Sequence, residues 1–177
     1  MKVNRNRWLR LALLTVAAIA LFAPAAVAAD RVSGIITKTF VLVDNTDLVG
    51  DVTCDVGSAA CFSFNVPDIE LRLNGFTISG MADPVIGCGG AAFSAEVGIT
   101  TNRSNNVSVR GPGLVQRFRG HGVSVAGSTN ARVLNILTST NCLSGIFVAA
   151  TSFGTLVESN VAVRNGSSAP GLSCGGI

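Results

Sequence analysis

The chain has no tyrosine, a single tryptophan and a single histidine, and only 13% of its residues are charged. Trp8 lies in a segment that is expected to be removed from the chain. Any aromatic platform that stacks on sugar rings would therefore have to consist of phenylalanine, which is a poorer substitute for Trp or Tyr. Because His121 is the only histidine, a metal site with several histidines is excluded. No nucleophile–His–acid set, phosphate loop or cysteine-based metal spacing is present. The sequence predicts neither a cofactor nor a metal.

Acidic residues are absent from the N-terminal part of the chain, where the first is Asp30. Residues 1–10 carry four Lys or Arg, residues 11–23 are almost all apolar or small, and an Ala-x-Ala site follows at 26–28. This order is typical of a cleavable secretory signal peptide, which we predict over residues 1–29. An uncleaved membrane anchor would need about 20 apolar residues. We therefore expect a secreted or periplasmic protein that leaves the membrane after signal cleavage.

Removal of the predicted signal changes the charge of the chain. The full sequence has a formal net charge of +3, but four of its 13 Lys and Arg and none of its ten Asp and Glu precede residue 30. The remaining nine basic and ten acidic residues give a net charge of −1. Nothing in this balance suggests nucleic acid as a partner.

A repeat with a period of 23–24 residues predicts the fold. Three positions recur with this spacing: a glycine that precedes a strand, an Asn or Gly at a turn, and a second asparagine (Gly98, Gly122, Gly145; Asn106, Asn130, Gly154; Asn141, Asn165). Apolar residues alternate between them, as in strands. A leucine-rich repeat would need a Leu/Asn scaffold that is absent, and a β-sandwich would not keep one register. We predict an all-β, right-handed parallel β-helix.

The repeat divides the mature chain, residues 30–177, into parts of one domain. Residues 34–80 are degenerate and are predicted to form the opening coils, and residues 81–97 interrupt the period as a loop insertion. The regular coils are predicted over residues 98–177, where Gly175-Gly176-Ile177 resembles the start of another coil. Because no polar cap follows, we expect the solenoid to be C-terminally incomplete and to associate through its open end.

Five cysteines in an exported chain permit disulfide bonds. Cys54 and Cys61 flank a short turn-rich segment, which favours a local bridge. Cys142 and Cys174 follow strand ends in neighbouring repeats and could join them, which would leave Cys88 odd. Sequence alone does not choose among the pairings.

Two motifs carry a family resemblance. The segments Asp47–Cys54 and Leu71–Gly80 resemble the first coils of bacterial right-handed parallel β-helix repeat proteins of the pectate-lyase-like superfamily, and residues 157–166 resemble their generic repeat unit. The resemblance implies the fold. It is compatible with polysaccharide lyases, glycoside hydrolases, epimerases and non-catalytic members alike.

Carboxylates that could act together in catalysis are few. Only Glu158 follows residue 97, and the pairs spaced nearest to one coil are Asp47 with Glu70 and Asp44 with Asp68. We expect these four to form a solvated rim of the opening coils.

A basic segment provides the candidate ligand site. On an extended strand Arg117, Arg119 and His121 would share one face, with Arg110 nearby. Guanidinium groups pair well with carboxylates, so this ridge suits an acidic polysaccharide. We therefore predict a binding or structural scaffold, with a polysaccharide lyase or glycoside hydrolase of the same superfamily as the alternative. Whether the protein is catalytic stays open.

Overall fold

The computed structural model describes residues 29–82, 96–166 and 176–177. Most of the predicted signal peptide, Cys88 and Cys174 lie outside these ranges. The described residues contain no helix and fifteen strands: β1 (Asp30–Ile36), β2 (Phe40–Leu42), β3 (Thr46–Cys54), β4 (Ala60–Phe64), β5 (Glu70–Arg72), β6 (Thr77–Ser79), β7 (Val97–Thr100), β8 (Ser108–Arg110), β9 (Leu114–Gln116), β10 (Val123–Val125), β11 (Arg132–Leu134), β12 (Leu137–Ser139), β13 (Ile146–Val148), β14 (Leu156–Glu158) and β15 (Val161–Val163).

The strands stack into three parallel faces. The first half of β3 pairs with β5, and its second half pairs with β6, so the ten-stranded sheet divides at β3 into two wings. The first wing continues through β5, β8, β11 and β14, and the second through β6, β9, β12 and β15; the tenth strand, β1, pairs with β3. A third, five-stranded sheet has the order β13-β10-β7-β4-β2. Because every pairing between these strands is parallel, the chain forms a parallel β-helix, the fold class predicted from the sequence.

The core consists of side chains from equivalent strand positions stacked coil upon coil. Alternate residues of a strand point to one face, so a shared register places one apolar side chain above the next. Each face contributes a buried column (Thr46, Leu71, Val109, Val133; Val52, Ile78, Val115, Thr138; Phe62, Ile99, Val123, Ile146). Only two of these twelve residues are polar, so these three columns are almost entirely apolar.

The predicted glycine register is confirmed. The amide of Ile99 donates to the carbonyl of Gly122, and that of Val123 donates to Gly145. A Cβ on Gly98 would lie 2.4 Å from the Gly122 oxygen, so the backbones approach too closely here for any side chain. Ile146 donates to Gly176 in the same way, which places Gly176 next in the column.

The predicted turn register is also confirmed. Asn106, Asn130 and Gly154 have left-handed φ angles of 54°, 56° and 62°, which Asn and Gly tolerate best. Asn130 Nδ2 donates to Asn106 Oδ1 at 3.2 Å, so the amides form a ladder between coils. Asp68, with φ of 62°, precedes them in this ladder and accepts from Asn106 Nδ2 at 2.9 Å.

A second asparagine ladder lies inside the solenoid. Asn141 is fully buried and donates through Nδ2 to Asn165 Oδ1 at 2.9 Å and to the Val115 carbonyl at 3.2 Å. Its Oδ1 accepts from the Phe118 amide at 3.1 Å. This side chain therefore joins three consecutive coils.

The predicted local disulfide between Cys54 and Cys61 is present, with a Cα–Cα distance of 5.7 Å. Cys142 is also disulfide-bonded, but the predicted pairing with Cys174 lies outside the described residues. Within 29–82 and 96–166, no helix is long and apolar enough to span a membrane.

Candidate ligand groove

A polar groove lies on the outer face of the first wing, beside the turns that lead into it. Its volume is about 490 Å³, and it crosses several coils (lined by Asn45, Asp68, Ile69, Glu70, Asn106, Ser108, Arg110, Asn130, Arg132, Gly154 and Leu156). The strand register explains this composition. Glu70, Ser108, Arg132 and Leu156 occupy one outward column, and the turn ladder forms the adjacent wall.

Glu70 is the centre of an ion network in this groove. Its Oε1 accepts from Arg72 Nε at 2.6 Å, and its Oε2 accepts from Arg110 Nε at 2.9 Å. Arg72 Nη1 also binds Asp47 Oδ1 at 3.1 Å. Asp47 and Glu70 are thus bridged by an arginine, whereas the sequence predicted only a solvated rim.

These contacts fix the charge of Glu70. Partial burial raises the pKa of its carboxyl, but hydrogen bonds from Arg110 and Arg72, together with the charge of Arg110, outweigh burial and hold the pKa below its ordinary value. Glu70 is therefore ionised at neutral pH. It can orient arginines, but it is a poor proton donor.

Three charged groups in the groove remain available to a ligand, two of them wholly and one in part. Within the described ranges Arg132 is exposed and makes no ion pair. Asp68 likewise has no cationic partner there: its carboxylate accepts from the Asn106 side-chain amide, and its backbone amide donates to the Asn105 carbonyl. Arg110 uses only Nε for Glu70, so its two terminal nitrogens are also available. The groove can therefore bind charged groups without breaking an existing ion pair.

The basic ridge predicted from the sequence does not form as an extended strand. Residues 117–121 belong to no strand, because Arg117 adopts a left-handed φ of 60° at the corner between the second wing and the third sheet. Arg110 lies in β8 on the first wing, so it is not brought into a common row with Arg117 and Arg119. The expectation that Arg110 lies beside Arg117, Arg119 and His121 on one continuous basic face of a strand is therefore wrong.

The side chains of this corner are engaged in structural contacts. Arg119 Nε binds Oε2 of the fully buried Glu96 at 2.6 Å, and Arg117 Nε donates to the Ala82 carbonyl at 3.0 Å. Glu96 Oε1 also accepts from the Met81 amide at 3.3 Å. The corner therefore holds both described ends of the predicted insertion, and the charge of Arg119 is balanced by a buried carboxylate.

His121 is half-buried and stacks on Phe147, with ring centroids 4.5 Å apart. Its Nδ1 accepts a hydrogen bond from the Ser144 amide at 3.2 Å. Burial lowers the pKa of His121. Because the imidazole is held neutral, it does not extend a cationic surface.

No protein-family model, curated protein or solved structure matches this chain. Function must therefore be argued from the geometry of the groove and from the motifs of the sequence. No group of three or more His, Cys, Asp or Glu that could hold a metal occurs in the described part of the chain.

Sequence reasoning identified Arg110 and named Glu70 only as a carboxylate of the solvated rim; it missed their pairing and the neighbouring Arg132. Leu71 and Val109 face each other in β5 and β8 but are 38 positions apart in the sequence. This separation is longer than one repeat of 23–24 residues and obscures the common period. One signal was present: Arg110 and Arg132 follow the turn residues Asn106 and Asn130 by four and two positions. Since turn and strand have a fixed register, both side chains had to point outward near the same ladder.

Proposed function

We propose that the protein is an extracytoplasmic binding scaffold that holds an acidic polysaccharide along the groove of the first wing. The observation that carries this proposal is Arg132, an exposed cation without an ion-pair partner among the described residues, beside a ladder of amides. Arg132 and Arg110 lie one coil and two residues apart, so their Cα atoms are separated by about 8 Å, within joint reach of one carboxylate.

Export is part of the same proposal. The N-terminal sequence has the order of a signal peptide, and the Cys54–Cys61 disulfide is compatible with an oxidising compartment outside the cytoplasm. The groove is open and crosses successive coils, which suits an extended chain better than a compact metabolite. Amides of Asn106 and Asn130 would supply hydrogen bonds to sugar hydroxyl groups.

The alternative is a polysaccharide lyase or glycoside hydrolase of the pectate-lyase-like superfamily. A hydrolase needs one carboxyl group that stays protonated near neutral pH and a second that is ionised. The lowered pKa of Glu70 does not suit the first role. The geometry of the groove therefore favours binding over hydrolysis.

Calorimetric titration with polygalacturonate and alginate at low salt tests the proposal. We expect binding that weakens above about 0.15 M salt, because exposed charges are screened. Replacement Arg132→Ser should weaken binding about tenfold, the value of one charge-assisted hydrogen bond of ~1.5 kcal/mol. Arg164→Ser is the matched control, since Arg164 is also exposed but follows β15.

A further variant separates the groove from the corner predicted by sequence. Arg117→Ser removes an exposed arginine of that corner and should leave affinity unchanged. If Arg117→Ser abolishes binding while Arg132→Ser does not, the corner is the site and the groove is not. Failure of the wild-type protein to bind any acidic polysaccharide, with or without amino groups, would refute the proposed function.

A further inference from the structure

The groove carries unpaired charges of opposite sign two coils apart. Asp68 is the first residue of the turn ladder. Among the described residues, its carboxylate accepts only the hydrogen bond from the Asn106 side-chain amide, at 2.9 Å. Arg132 lies further along the stack and has no ion pair within the described ranges. Both residues line the same cavity. Asp68 thus gives the groove a free anionic position, and Arg132 gives it a free cationic position two coils further along.

The register gives the distance between these ends. Asp68, Asn106 and Asn130 are hydrogen-bonded in successive coils, so Asp68 lies two coils from Asn130. Arg132 follows Asn130 by two residues in an extended strand. With ~4.8 Å per coil and ~3.3 Å per residue, the Cα atoms of Asp68 and Arg132 are about 12 Å apart. One short stretch of an extended ligand can therefore contact both charges.

The other two charged groups that line the groove, Glu70 and Arg110, do not cancel this polarity. Glu70 is neutralised by Arg72 and Arg110, and Asp47 is paired with Arg72. A uniform polyanion that bound Arg132 would place a further negative group near Asp68, which has no cationic partner in the described part of the chain to offset the repulsion. A cationic group at that position would be attracted instead.

We propose that the groove selects a polysaccharide that carries both carboxylates and free amino groups, with the carboxylate at Arg132 and the ammonium group at Asp68. This inference rests on the proposed function and narrows its ligand to an acidic, amino-sugar-containing chain. Asp68 is the specificity-determining residue, and Arg132 provides affinity for the carboxylate in either kind of ligand.

Oligosaccharides of hyaluronan, in which glucuronate alternates with N-acetylglucosamine, provide the test. Chemical de-N-acetylation converts the neutral amides into ammonium groups and leaves the carboxylates in place. We expect the wild-type chain to bind the de-N-acetylated form about tenfold more tightly, as for one added charge-assisted contact. Asp68→Asn should remove this preference without weakening binding of the acetylated form, whereas Arg132→Gln should weaken binding of both.

Asparagine is suited to position 68 because it tolerates the left-handed φ of 62° and can still accept the Asn106 hydrogen bond. Asp55→Asn, at an exposed aspartate outside the groove, is the control and should keep the preference. Equal affinity of the wild type for the two forms, or a preference that survives Asp68→Asn, overturns the inference but leaves the proposed function standing. Binding of polygalacturonate with no binding of either hyaluronan form likewise overturns the inference and leaves the proposed function standing. Failure to bind polygalacturonate and both hyaluronan forms overturns the inference and the proposed function together.

Discussion

Asn141 allows the strength of the internal amide ladder to be measured. Its fully buried side chain makes hydrogen bonds to Phe118, Val115 and Asn165. Asn141→Leu keeps most of the side-chain volume but removes all three bonds, and it leaves the amide of the buried Phe118 without this acceptor. An unpaired buried group costs about 1–3 kcal/mol, and each lost net hydrogen bond about 1 kcal/mol. We therefore expect the free energy of unfolding to fall by about 3–5 kcal/mol.

Denaturation in urea, followed by circular dichroism, measures this loss. Asn130→Gly serves as the comparison, because it removes one exposed ladder bond at a left-handed position that glycine adopts without strain. Its unfolding free energy should stay within about 0.5 kcal/mol of the wild type. If the unfolding free energy of Asn141→Leu were also within about 1 kcal/mol of the wild-type value, the reasoning that buried amides hold the coils together would be refuted.

Two further predictions concern the corner and the glycine column. Because burial lowers the pKa of His121 in the fold, its contribution to stability should be complete above the ordinary pKa of 6.5 and should decrease as the pH falls through the folded value. Unfolding free energies measured between pH 8 and 5 should show this decrease. If a His121→Gln variant loses as much stability over this range as the wild type, His121 is not the group that causes the decrease. Gly98→Ala should lower the unfolding free energy by about 3 kcal/mol, because the new Cβ would meet the Gly122 oxygen at 2.4 Å. An unchanged thermal midpoint would show that the coils can separate there.

The coil register was predictable because it depends on backbone conformation. Gly98 and Gly122 stand where backbones approach closely, and Asn106 and Asn130 stand where φ is positive. Few residue types satisfy either condition, so the sequence repeats them. The position of Asp68 in the same ladder was not predictable from spacing, because the predicted insertion separates it from Asn106 by 38 residues.

The groove was less predictable because outward side chains are not constrained by packing. Glu70 and Arg110 are 40 residues apart in sequence and meet only because β5 and β8 are neighbours. The error about residues 117–121 has a local cause. An alternating pattern predicts a strand, but the positive φ of Arg117 ends the extended conformation directly after β9.

The long strand β3 has a consequence for the order in which the solenoid assembles. Asp30 pairs with Thr46, only 16 positions away, whereas Leu71 and Val109 must meet across 38. Contacts of short sequence separation close at lower entropic cost and form faster. We therefore expect the pairing of β1 with β3 to form first, and because β3 spans both wings, it then presents a template edge to each. A chain that emerges from its N-terminus during synthesis could add coils in the order in which they appear.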